Sequence, residues 1–506
     1  MHWHHSLALL LAGSLCIGSA AAEDDRLDIV APWEINSLDP VQSGYVYGRM
    51  QVAETLVKSD IEGNLVPGLA TDWKSEDGGK VWHFTLRDGV RFHDDSDMTT
   101  EAVVASLERT LANPGALSVA RIKDISGEGH TLTFTLESPY ASLPALLTHY
   151  SSQILAPSAY DEHGKVTALI ATGPYRATNL ALPQRLETES FPHYWGAQPS
   201  ITKASYLAAP RGETRALMAQ SGDADIAFTL DAASQARLKA TSGVRLEAVP
   251  IPRTVVIKLN ASKAGFDNAE ARHAISQVIN RQGIARGVMR VEDAAASQLL
   301  PPGVPGWHLD DLAVPEQDLE AAEAILAKQG WQRGDDGILV KDGQRFSATL
   351  TTFADRPELP VIATALQDQF RQLGIDVNVS VGNSSDIPAG HHDGSLDMGL
   401  LARNFGLVPD PLPTIMQDYG PQGGDWGAMH WSSDELSSIL ASLQQTDGTS
   451  SRTQLAAQAA GILHQEMPVI PVAWYVQTAA VNERLSGFVI DPFDQSYRLS
   501  ELSWRK

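Results

Sequence analysis

Residues 93–97, His93-Asp94-Asp95-Ser96-Asp97, set one imidazole and three carboxylates into five positions, the ligand types of a divalent-cation site. A calcium loop needs further oxygens at fixed alternating positions and a closing Glu, and these are absent. A turn accounts for the same residues without a metal. Thr99 is placed to cap the helix that "TEAVVASLERTL" announces, Met98 precedes it as an apolar staple, and the aspartates sit before a helix start, where negative charge is favoured. The expectation is a joint between a strand and a helix. Elsewhere the chemistry-bearing patterns of hydrolases are missing. There is no G-x-S-x-G elbow, no H-E-x-x-H helix and no glycine-rich phosphate loop, since "GEGHTL" at 127–132 lacks the third glycine. The expectation is a protein that is not an enzyme and carries no permanent cofactor.

The elements that would position any site alternate in type. "VWHFTLRDGVRF" alternates with period two and is punctuated by Asp88-Gly89, which reads as a hairpin; "TLTFTLESPY" alternates again and stops at Pro139. "NAEARHAISQVINRQGIARGVM" changes to helical period, with Ala271, Ala274, Ile275, Val278 and Ile279 on one face. "PVIATALQDQFRQLGIDVNVSV" reads as a helix ended by Gly374 and followed at once by a strand. "LLPPGVPGW" and "GNSSDIPAGHHDG" read as loops. This is α/β organisation, with helices packed on sheets.

At 506 residues the chain exceeds one ordinary core, so two or three domains are expected. Its 61 acidic and 38 basic residues, a formal charge of −23, argue against nucleic-acid or anionic-membrane partners and suit a monomer in solution. The N-terminus has an apolar stretch, Leu7 to Ile17, then Ala20-Ala21-Ala22 before acidic residues. That is a secretory leader, too short for the ~20 apolar residues of a membrane span, with cleavage expected after Ala22. Cys16 is the single cysteine and would leave with it, so the mature chain would have no disulfide and no thiolate site.

Residues 53–104 carry a recognisable text: Glu54-x-Leu56, Gly63, Pro67-x-Leu69-Ala70, Trp73, Ser75-x-Asp77-Gly78, Trp82-x-Phe84-x-Leu86-Arg87 and Val90-x-Phe92. It resembles the signature of bacterial extracellular solute-binding proteins of the peptide/nickel class, family 5. Similar phrases follow in family order, among them "TGPYRA", "YWG", "TRALMAQSGDADIA", "QLGIDVNV" and Asp410-Pro411. The resemblance implies a two-lobed, three-domain periplasmic binding protein fold (type II, the large cluster with an inserted extra domain). Residues 1–22 would be the signal peptide and 23–255 lobe 1, including a smaller inserted domain at about 60–170. Residues 256–474 would be lobe 2, and 475–506 a return to lobe 1. It implies a periplasmic protein that closes on a small molecule and delivers it to the permease subunits of an ABC importer in the inner membrane. A periplasmic sensor or chaperone on the same fold remains open, and the identity of the partner would separate them.

Peptide-binding members place an Asp for the peptide ammonium where Leu407 stands in "ARNFGLVPDP", so the usual clamp is missing. Arg403, Phe405, Gly406, Asp410 and Pro411 are closer to the text of nickel- and metallophore-binding members. By resemblance Phe405 packs on ligand with Arg403 near it; a structural pairing of Arg403 with a buried carboxylate is the alternative. The arginine those members use before "APS" falls at Tyr150, and their liganding His falls near Gly423, leaving His430 as the nearest substitute and the foremost candidate metal residue, ahead of His391-His392. Tyr45 and Tyr47 lie in a segment that lines the cleft in relatives, with core packing as the alternative, and Trp426 is undecided in the same way. The ligand expected is a metal chelate or an opine-like, amino-acid-derived anion, with a di- or oligopeptide as the alternative.

Overall fold

The computed structural model describes residues 26–505 apart from 114, 115, 305, 355 and 447. The leader expected at residues 1–22 lies outside the described residues. A single ten-stranded sheet runs through the molecule, in the order 376–382, 347–353, 398–404, 244–259, 469–482, 226–228, 26–31, 203–208, 185–190 and 175–181. The two long strands at its middle, Val244–Leu259 and Val469–Asn482, are antiparallel and belong to both ends of it. Val244 to Pro250 pair with Val476 to Asn482. Beyond a register shift between Pro250 and Thr254, Thr254 to Lys258 pair with Trp474 to Val469. A bulge of this kind kinks a strand and raises its twist.

Three large apolar cores follow, with two smaller clusters beside them. One gathers residues from Leu27 to Ala53, Leu155 to Phe228 and Ala479 to Leu502. A second runs from Ile251 to Tyr475 without leaving that interval. The third, Leu56 to Ala156, lies under a separate four-stranded antiparallel sheet, ordered 70–76, 81–86, 131–136, 122–128.

The local readings hold in part. Thr99 caps the helix Thr100–Leu111 by accepting from Ala102 N, and Gly374, at φ 94°, ends the helix Glu358–Leu373 before the strand Asp376–Gly382. The hairpin at Asp88-Gly89 does not form. Strand Val81–Leu86 pairs with 70–76 and 131–136, and after the turn Val90 and Phe92 enter the third core instead. The long helix expected from residue 268 stops at Gln277, because Asn280 caps a new turn at Gly283 N; the five apolar positions named for its face are all buried. The polar segment near 386 is a helix, Asp386–Asp393, rather than a loop. Among the described residues no helix is long and apolar enough to cross a membrane.

Candidate functional site

The segment 93–97 is a joint. His93 is buried and uses both ring nitrogens on backbone: Ala171 N donates to Nδ1 at 3.3 Å, and Nε2 lies 3.0 Å from the Gly173 carbonyl. Asp94 Oδ1 accepts from Ser96 N and Oγ, and Asp95 meets His193 Nδ1 at 2.5 Å. Among the described residues no group of three or more His, Cys, Asp or Glu is placed to hold a metal.

Helix Pro40–Arg49 begins at Asp39, which caps Val41 N, with Pro40 at its first position. Residues two apart face different sides of a helix. Tyr45 therefore turns to a cavity of about 390 Å³, while Tyr47 is wholly buried in the first core, its hydroxyl bonded to the Ser37 carbonyl. Tyr45 stands edge-on to Tyr150, ring centroids 5.7 Å apart, and both line the cavity with Gln153, Tyr194, Asp494 and, from the other half of the sheet, Leu407. Gly44 allows this approach. A Cβ there would lie 2.8 Å from the Tyr150 carbonyl and 2.9 Å from Gln153 Oε1. Gln153 is 3% exposed and donates to the Gly44 carbonyl, but its Oε1 has no hydrogen-bond partner.

Beside this cavity the two halves of the sheet share an array of buried charge. Arg49, at the end of the same helix, donates Nε to the Asp494 carbonyl at 2.9 Å and places Nη2 3.1 Å from Asp494 Oδ2. Its guanidinium lies over Trp33 (4.1 Å) and Tyr45 (5.6 Å). Arg253 comes from the irregular stretch of the crossing strand and reaches the same Asp494 oxygen at 3.7 Å. Arg253 and Arg356 both lie 5.2 Å from the ring centre of Tyr475. Arg49 Nη1 and Arg253 Nε and Nη1 are buried without a hydrogen-bond partner. Burial and the nearby Arg356 guanidinium push the Arg253 pKa down to about 10, against the pull of Asp494. Buried guanidinium nitrogens left unbonded are costly.

Other candidates fall elsewhere. Arg403, on strand Met398–Asn404, is paired through Nε and Nη2 to Asp418 at 2.5 and 2.9 Å, and Asp418 is fully buried. It lines neither this cavity nor the one at Phe405, so the structure shows the carboxylate pairing that was the alternative. Trp426 packs half-buried against the second core, and His430 Nδ1 bonds Asn260 Oδ1 at 2.8 Å; neither lines these two cavities. His392 pairs with Asp425 at 3.0 Å. Phe405, 1% exposed, borders a different cavity of about 480 Å³, at the contact of the four-stranded sheet with the second core. Sequence reading missed Arg49, Gln153, Arg253 and Asp494. Arg253, in "IPRTVVIKL", had a signal, since a lone arginine in a continuous apolar strand must find an anion or a reason to be buried.

A family model described as bacterial extracellular solute-binding proteins, family 5 Middle, matches residues 64–426. The nickel-binding periplasmic protein of Escherichia coli (strain K12) is 28% identical over 503 residues, 94% of each chain. The probable D,D-dipeptide-binding periplasmic protein of the same strain is 26% identical over 522 residues, 98% of each. The crystal structure of NikA from Brucella suis in complex with Fe(III)-EDTA superposes with a TM-score of 0.86 at 21% identity, covering 94% of this chain and all of that one. That likeness shows the fold alone: the mixed α/β, two-lobed architecture of type II periplasmic binding proteins.

Proposed function

The chain belongs to the bacterial extracellular solute-binding proteins of family 5, and from that premise we propose that its cargo is a small carboxylate-bearing solute, a metal chelate or an amino-acid-derived anion. Members of the family are substrate-binding proteins of ABC importers. In our reading the protein works in the periplasm as a monomer, without a permanent cofactor and without catalysis. It holds the solute between the two halves of the sheet and hands it to permease subunits in the membrane.

One observation carries the choice of ligand: Arg49 and Arg253, contributed by different segments, share the carboxylate of Asp494, which lines the cavity, and keep three buried nitrogens unbonded behind it. An anion seated there contacts both halves only when they are shut, and its differential affinity for the closed form shifts the population towards closure. A metal would arrive already chelated, since among the described residues no group of three or more His, Cys, Asp or Glu is placed to hold one. The nickel-binding relative supports this class of cargo.

A second reading is a di- or tripeptide, favoured by the acidic lining of the cavity, which includes Glu54, Asp60 and Asp491 and suits an ammonium. It agrees with the dipeptide-binding relative. Calorimetry on refolded, ligand-free protein separates the two. Titration with Ni²⁺ plus L-histidine, with alanylalanine and with N-acetyl-alanylalanine is expected to show chelate binding. Tight binding of the free dipeptide, lost on acetylation, with none of the chelate, would replace the first reading by the second.

A further inference from the structure

The cavity of about 480 Å³ lies between the third core and the second, with Phe493 of the C-terminal segment in its lining. Trp73, Trp82 and Ser142 come from the four-stranded unit, Trp307 and Phe405 from the second core's segment, and Phe493 from the C-terminal return. Five aromatic rings converge on it, in a volume that suits an organic molecule of ordinary ligand size. Gly63, at φ 84°, allows Phe493 to lie against the loop, since a Cβ there would be 2.7 Å from the ring. The Trp82 indole N–H is already committed to the Gly79 carbonyl at 3.1 Å.

Of the charged groups at this cavity, Glu62 is exposed to solvent, while Asp410 and Arg452 are engaged with one another. Asp410 Oδ1 accepts from Leu412 N, and Oδ2 accepts from Ser142 Oγ (2.5 Å) and Arg452 Nη2 (2.7 Å). Arg452 gives its Nη1 hydrogens to the Leu443 and Thr446 carbonyls, both at 2.8 Å, and Nη2 also reaches Ser142 Oγ. Asp410 and Arg452 thus spend most of their hydrogen-bonding capacity on one another, on Ser142 and on backbone, and the five rings are what the cavity adds for a guest. The chemistry offered is therefore apolar and aromatic.

The wall that separates this cavity from the one at Tyr45 is shared residue by residue: Leu65 and Val66, Leu407 and Val408, and Phe493 and Asp494 face the two spaces in alternation. We propose that this aromatic cavity is a specificity subsite that takes an uncharged, ring-bearing arm of the captured solute, whose charged end lies at the Arg49–Arg253 array. The proposal rests on the reading of the neighbouring cavity as the solute site. It adds that small, ringless carboxylates will be weak ligands.

The test uses 8-anilinonaphthalene-1-sulfonate, which joins one anion to two ring systems, read by energy transfer from tryptophan in the folded protein. One equivalent is expected to bind. Ala141→Trp fills the cavity from the four-stranded unit and Ala456→Phe fills it from the opposite wall; each that keeps its cooperative melting is expected to lower affinity at least tenfold. Leu217→Ala, an exposed residue that lines neither cavity, is expected to leave probe-to-tryptophan transfer in place. Stoichiometric binding that survives both filling substitutions would overturn the subsite. Loss of chelate binding in calorimetry with the probe result intact would overturn the solute class alone, so the two failures are distinct.

Discussion

Ser142 Oγ donates to Asp410 Oδ2 at 2.5 Å across 268 residues of sequence, fastening the four-stranded unit to the second core. The same carboxylate caps the helix Leu412–Tyr419 through Leu412 N at 3.0 Å, and Ala141 N adds a bond to the Gln444 carbonyl. Ser142→Ala removes the cross-unit donor and one acceptor of Arg452 Nη2, leaves the ion pair in place, and is expected to cost about 1 kcal/mol. Asp410→Ala also strips the cap and leaves Arg452, 22% exposed, without its anion, with an expected loss of about 3–4 kcal/mol. Urea melts of the two variants and of the double variant check this, and equal losses for the two single variants would deny Asp410 its dual role.

Arg403 and Asp418 form the most deeply buried bidentate ion pair described above. Breaking such a pair strands the partner charge, so Arg403→Ala should destabilise the protein by about 3–5 kcal/mol. Its effect on ligand affinity, measured at a temperature where the variant is folded, should be small. A large affinity loss with an unchanged melting temperature would return Arg403 to the ligand.

Arg253 predicts the reverse pattern. Its guanidinium is 5% exposed and under-bonded in the ligand-free chain, so Arg253→Met should leave stability unchanged or raise it. Affinity for a carboxylate ligand should fall at least tenfold, about 1.4 kcal/mol. Differential scanning calorimetry paired with isothermal titration reads both, and a lower melting temperature with unchanged affinity would make Arg253 structural.

Two buried histidines set the acid limb of stability. Burial pushes the pKa of His93 and of His149 down to about 4 from 6.5. The unfolded chain then binds more protons between these values, so their contribution is complete above pH 6.5 and is lost as pH falls through 4. At pH 5 each should cost about 2 kcal/mol relative to pH 7. Asp491 opposes them. Burial pushes it up to about 6, so its contribution is complete below the ordinary aspartate range and is lost as pH rises through 6. His93→Gln should flatten the fall in melting temperature between pH 7 and 5, whereas Asp491→Asn should steepen it.

What the sequence disclosed was whatever is set locally. Thr99 and Gly374 end their helices by chemistry confined to a few neighbours, and they were legible. The hairpin at Asp88-Gly89 was not, because a turn residue does not say which strand its segment will join; Val90 and Phe92 had a core to enter. The cleft was half legible. Tyr45 and Tyr150 meet as neighbours in one cavity, while Tyr47, two positions on, is turned inward by helix geometry that the text around Pro40 already implied. Arg49, Arg253 and Asp494 stayed hidden because their meeting depends on contacts across more than 200 residues, which no short pattern records.

The strand Val469–Asn482 lies between 226–228 and 244–259, at the middle of the ten-stranded sheet, although it is nearly the last stretch of chain to be made. A nascent polypeptide that has emerged as far as Glu466 therefore has two incomplete sheets, each presenting a bare backbone edge. Pairing across such distances is slow, and it waits here for the final segment to arrive. The architecture thus postpones completion of its main sheet to the final segment, whereas the four-stranded unit within residues 70–136 needs nothing from that segment.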